Sequence, residues 1–101
     1  MTREEHLLVC LIEECAEVQK AATKALRFGL DDSYKDYQTP RDTLCDECCD
    51  LLAVIEMLMA SRTIWNVVGN VGKIIKKKAR VEKFIGYARE RGLIHEEESE
   101  G

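Results

Sequence analysis

Leu7-Leu8-Val9-Cys10-Leu11-Ile12-Glu13-Glu14-Cys15-Ala16-Glu17-Val18-Gln19-Lys20-Ala21-Ala22-Thr23-Lys24-Ala25 is the stretch that decides how this chain folds. At helical period, Leu7, Leu11, Glu14, Val18, Ala21 and Ala25 fall on one apolar stripe, so the segment is an amphipathic helix with a carboxylate at a core position. The anomaly returns further on. Leu44, Glu47, Leu51, Val54 and Leu58 form a second stripe, and Asp50 lies beside it, one turn from Glu47 and from Val54. Burying an unpaired carboxylate is strongly unfavourable, so Glu14, Glu17, Glu47 and Asp50 directed at an interior imply a positive charge held among them. A divalent metal is the natural counter-charge.

Working outward, the first helix starts at Thr2 or Arg3, with Thr2 as N-cap and Glu4 and Glu5 in the first turn, and runs to about Leu26, ahead of Gly29. Periodicity then lapses from Gly29 to Thr39, a loop containing Tyr34 and Tyr37 and room for one helical turn. Thr39-Pro40-Arg41-Asp42 reads as the next start, with Pro40 at the first helical position and an acid at the third, and the second helix continues to Ala60 or Ser61. Its second half, Leu51 to Ala60, is apolar nearly all round except for Glu56, which calls for cover on more than one side. Ile64 to Val68 reads as a brief helix and a bend, set off by Gly69 and Gly72. A last helix from about Val71 to Arg91 places Ile74, Ile75, Val81, Phe84, Ile85 and Ala88 inward and stops at Gly92. The expected fold is all-α: an antiparallel helical bundle of three long helices plus a short one. Residues 1–95 form one domain and 96–101 a disordered acidic tail.

At 101 residues the core is modest, and the uncovered apolar half of the second helix points to a homodimer. Apolar residues make up 46% of the chain and charged ones 34%, a globular rather than a disordered composition. The formal net charge of −4 argues against a general nucleic-acid binder, which carries a basic surface. Charges interrupt every apolar run, so neither a signal peptide nor a membrane span is expected, and the reading is cytoplasmic. Cys10, Cys15, Cys45, Cys48 and Cys49 lie within helical patterns, where thiols serve as small buried fillers. Cys45-x-x-Cys48-Cys49 invites a zinc reading, yet structural zinc sites use knuckles or loop ends rather than mid-helix positions. His6 and His95 have no nucleophile beside them to build a hydrolytic triad.

Two acids three apart on a helix stand about 5 to 6 Å apart at Cβ, close enough to share an ion. Glu14 with Glu17 is one such pair and Glu47 with Asp50 the other. Single pairs are commonly a solvated face; two pairs on core stripes, facing each other across a helical hairpin, give an all-oxygen cage suited to Mg2+ or Mn2+ rather than zinc. Such a site is open on one side, where the phosphates of a nucleoside triphosphate fit. Lys73, Lys77 and Arg80 share roughly one face of the last helix, either as a solvated basic face or as a phosphate-neutralising one.

The run Glu13-Glu14-Cys15-Ala16-Glu17, followed at a distance by Glu47-Cys48-Cys49-Asp50, resembles the two-part acidic signature of MazG-like nucleotide pyrophosphohydrolases. Lys77-Lys78-Ala79-Arg80-Val81-Glu82-Lys83-Phe84 is similar to the basic segment that follows in small phage and bacterial members, and the resemblance spans Leu7 to Leu93. It implies the all-α NTP pyrophosphatase fold, a homodimer or homotetramer, and magnesium-dependent hydrolysis of (deoxy)nucleoside triphosphates to the monophosphate and pyrophosphate. It also implies that Glu14, Glu17, Glu47 and Asp50 are the metal ligands, with Glu13 behind them orienting a ligand or activating water. The 29 residues between Glu17 and Glu47 slightly exceed the usual spacing, a difference that bears on the base accepted. The competing readings are a non-catalytic dimeric helical adaptor and a phosphoribosyl-ATP pyrophosphohydrolase.

Overall fold

Helix α1 (Arg3–Phe28) begins where Thr2 can cap it: Thr2 Oγ1 accepts from the Glu5 backbone N–H at 3.1 Å and Glu5 Oε1 accepts from the Thr2 N–H at 3.1 Å. That reciprocal box satisfies two donors left without partners in the first turn. The Thr2 bonds also hold the Glu5 carboxyl below its ordinary range, the backbone donor more than the hydroxyl. The helix ends at Gly29, whose φ of +88° is a conformation that side chains resist and glycine adopts freely.

Helix α2 (Pro40–Ala60) is capped by Thr39, whose Oγ1 accepts from the Asp42 N–H at 3.2 Å, with Pro40 opening the first turn. Arg41 ties this start to the end of α1. Its guanidinium forks onto Asp31 at 3.0 and 3.1 Å, and its N–H donates to the Leu30 carbonyl. The bond from Arg41, and then its charge, holds the Asp31 carboxyl below the usual range.

The computed structural model describes residues 1–33 and 38–95; they contain three α-helices, the third being α3 (Val71–Glu90), and no strand. Among them, no helix is long and apolar enough to cross a membrane. The fold is all-α, as the apolar periods require. Tyr34, Tyr37 and the acidic tail at 96–101 lie outside the described residues.

The chain divides into two compact units, Met1–Trp65 and the residues from Asn66 onward, where the sequence reads as one domain over 1–95. In the first unit, α2 returns antiparallel to α1: Pro40 and Gln38 line a cleft with Lys24 and Phe28, and Thr43 and Glu47 another with Ala21 and Glu17. Leu7, Ala21 and Leu58 are buried between them, Leu58 completely. Every other residue of the two expected stripes is half-buried, Glu14 and Glu47 included.

The expected short helix over Ile64–Val68 does not form; the segment is turns and bends. The Thr63 and Ile64 N–H groups bond back to the Leu58 carbonyl, and the Asn66 side chain accepts from the Gly69 N–H, so local bonds replace a nucleus that five residues cannot sustain. In the second unit, Asn70 caps α3 by accepting from the Lys73 N–H at 3.4 Å. No residue of α3 is buried: Ile85 and Ala88 are half-buried, while Ile74, Ile75, Val81 and Phe84, expected to face inward, are exposed. Its apolar stripe exists, but none of its residues is fully buried.

Leu58→Ala should lower unfolding free energy by about 2–5 kcal/mol, because it empties the one fully buried side-chain position among the described residues. Thr39→Ala should lower it by about 1 kcal/mol through loss of the cap. Urea denaturation followed by circular dichroism measures both, and a Leu58→Ala effect no larger than the Thr39→Ala effect would contradict this core.

Candidate metal centre

Antiparallel pairing sets the acid-bearing turn of α1 against that of α2. Glu14 and Glu47 occupy their helices' buried stripes and are half-buried; Asp50, one turn beyond Glu47, is exposed. One carboxylate oxygen from each of Glu14, Glu47 and Asp50 can be chosen so that all three lie within 4.8 Å of one another. Among the described residues, no ion pair neutralises any of the three.

Glu17 does not belong to this three-way group, although it lines a cleft of about 150 Å³ with Glu47, Lys20, Ala21, Lys24 and Thr43. Glu13 is exposed on α1, outside the group. Lys73, Lys77 and Arg80 are exposed on α3, in the second unit. The structure thus brings together three of the four expected ligands and places the fourth along the neighbouring cleft.

Electrostatics mark Glu47 as the focus. Partial burial pushes its carboxyl above the ordinary value of 4.5, and the negative charges of Glu17, Asp50, Glu14 and Asp46 push it the same way, in that order. Asp46 is a contributor that the stripe reading passes over. Its position four residues before Asp50, on the same edge of α2, is the signal that finds it. Gln38 Nε2 donates to Asp46 Oδ2 at 2.9 Å and holds it there.

The donor set is all oxygen and anionic, which fits a hard cation such as Mg2+ or Mn2+. Among the described residues the cysteines form no group of three with converging ligand atoms. All five are free thiols; Cys10 is half-buried, whereas Cys15, Cys45, Cys48 and Cys49 are exposed rather than buried fillers, because they lie off the stripes that meet between the helices. No protein-family model, curated protein or solved structure matches the chain.

A carboxyl whose folded pKa is raised binds its proton more tightly when folded, so protonating it stabilises the metal-free protein and that stability is lost as pH rises through the raised pKa. The metal-free melting temperature should accordingly rise as pH falls from neutrality towards the ordinary carboxyl value of 4.5. Below that range, loss of the Asp31 and Glu5 carboxylates reverses the trend. Glu47→Gln should melt a few degrees higher than the parent at neutral pH without metal and show a flatter rise. A parent whose melting temperature is highest at neutral pH and falls steadily on acidification would contradict the crowding.

Proposed function

We propose that the protein hydrolyses nucleoside or deoxynucleoside triphosphates to the monophosphate and pyrophosphate in the presence of Mg2+, with Mn2+ able to substitute. The observation that carries this reading is the convergence of Glu14, Glu47 and Asp50 from two helices onto one small volume. The acidic signature that those residues share with MazG-like pyrophosphohydrolases supports it.

In this reading Glu14, Glu47 and Asp50 hold the cation, and Glu17, along the cleft from Glu47, completes the set from the α1 side. Mg2+ bound there supplies polarisation of the phosphate oxygens and a lowered pKa for the attacking water. Glu13, on the turn that carries Glu14, orients that water or accepts its proton at a carboxylate oxygen. No nucleophilic side chain is needed, which agrees with the absence of a triad motif.

The reading includes self-association to a homodimer or homotetramer, which would complete an antiparallel helical bundle from hairpins with little core of their own. A non-catalytic helical adaptor is the second reading. The large exposed apolar surface, with Ile12, Leu26 and Phe84 uncovered, favours it.

A panel of canonical, deoxy and modified triphosphates, with phosphoribosyl-ATP included, should release pyrophosphate with Mg2+. Glu47→Gln and Asp50→Asn should each reduce turnover by at least ~10- to 100-fold, since even residues behind the ligands of a metal site are worth that much. No turnover on any member of the panel would remove the catalytic reading and leave the adaptor.

A further inference from the structure

Next to its converging carboxylates the α1–α2 hairpin carries a pair of cations. Lys20 and Lys24 stand four residues apart on one face of α1, and both line the cleft of about 150 Å³ that Glu17, Ala21, Thr43 and Glu47 complete. Glu47 belongs both to this cleft and to the group of three converging carboxylates, so the cleft adjoins the candidate metal centre. All of its residues lie within Met1–Trp65, a single compact unit.

The fold makes no use of these cations. Among the described residues, neither Lys20 nor Lys24 makes an ion pair or a side-chain hydrogen bond, although two acids line the same cleft. The half-buried Thr43 bonds through its backbone N–H to the Thr39 carbonyl, while its hydroxyl bonds to no described residue. Two ammonium groups and a hydroxyl therefore border one small volume without protein acceptors.

Charge and size select the occupant. Lysine ammonium groups carry three donors each and no acceptor, so two of them on one face suit a multiply charged oxyanion. The volume falls below the roughly 300–1,000 Å³ of sites that enclose whole small ligands, so the cleft takes one end of a nucleotide rather than all of it. Ala21 is the one apolar residue among those lining it, which leaves a nucleobase little surface to pack on. Glu17 and Glu47 would repel a bare polyphosphate, whereas a magnesium-bound one meets those carboxylates through the ion and the lysines directly.

We propose that this cleft is the pyrophosphate subsite: Lys20 and Lys24 hold the β- and γ-phosphate oxygens and the Thr43 hydroxyl donates to one of them, while the α-phosphate lies at Glu14, Glu47 and Asp50. The assignment rests on the proposed triphosphate hydrolysis. Helical rise puts Lys20 about 4.5 Å and Lys24 about 10.5 Å past Glu17 along α1, the order in which the β- and γ-phosphates follow the α-phosphate. Hydrolysis joins the water oxygen to the α-phosphorus and breaks its bond to the bridging oxygen, which departs with the electron pair; the water's proton passes to Glu13. Negative charge grows on the departing pyrophosphate, and cations fixed beside it favour the transition state over the bound triphosphate.

Two measurements on the full chain test this, and neither depends on turnover. Titration calorimetry with inorganic pyrophosphate in the presence of Mg2+ should show saturable binding, weakened roughly tenfold or more in Lys20→Gln and in Lys24→Gln, each of which removes a charged hydrogen bond, and retained in Lys24→Arg. Pulsed acetylation read by peptide mass spectrometry should find Lys20 and Lys24 of the parent protected by pyrophosphate with Mg2+, and Lys76 and Lys78 on α3 unprotected. Lys20 and Lys24 are exposed helix positions, so both glutamine variants should keep the parent's circular dichroism, and the acetylation needs no variant. Absence of saturable pyrophosphate binding would overturn the proposal. So would unchanged affinity in both glutamine variants, equal protection by sulfate at the same ionic strength, or protection by a nucleoside monophosphate in place of pyrophosphate. Failure of the hydrolase reading looks different: pyrophosphate bound at Lys20 and Lys24 without turnover of any triphosphate removes hydrolysis and keeps a polyphosphate site. Turnover with pyrophosphate affinity indifferent to both lysines keeps hydrolysis and removes this subsite.

Discussion

The constraint on which the structure depends is the mutual repulsion of carboxylates forced together where α1 and α2 meet. The apolar stripes of the two helices have one register that buries Leu7, Ala21 and Leu58, and that register also sets Glu14 against Glu47, with Asp50 one turn away. Hydrophobic burial therefore does work against like charge. A chain with so small a core has little stability to spend on it. Glu47 records the conflict in a carboxyl shifted upward by partial burial and by four neighbouring acids. Under the proposed function, a hard cation held there would turn the same arrangement from a liability into a site.

Much of this is legible in the sequence because it follows from local rules. Thr2 and Thr39 precede acids at capping distance, Pro40 can only open a helix, and Gly29 supplies the positive φ that ends α1. The acids on the stripes stand out because charge there breaks a pattern that the surrounding leucines and alanines make regular. The rest is hidden for equally physical reasons. Ile64–Val68 is apolar enough to read as a helix, yet its backbone finds nearer partners at Leu58 and Asn66. Burial of α3's stripe depends on a surface, and periodicity names a face without naming what covers it. Asp46 lies off the stripe and matters only through its field at Glu47, which needs three-dimensional distances. Glu17, three residues from Glu14, lines the neighbouring cleft with Glu47 and stays outside the group of three converging carboxylates.

The cysteines show how a sound rule can miss its context. Thiols in helices are usually buried, yet Cys15, Cys45, Cys48 and Cys49 are exposed in the single chain because the α1–α2 contact is too narrow to cover them.

The most direct test of the central claim is a titration of the purified protein with Mn2+, followed by the loss of the free-ion electron paramagnetic resonance signal. The account predicts saturable binding that Mg2+ displaces, that is lost in Glu47→Gln and that persists in Glu56→Gln, an acid of the same helix on its far side. Absence of binding at millimolar Mn2+, or equal binding by both variants, would contradict it.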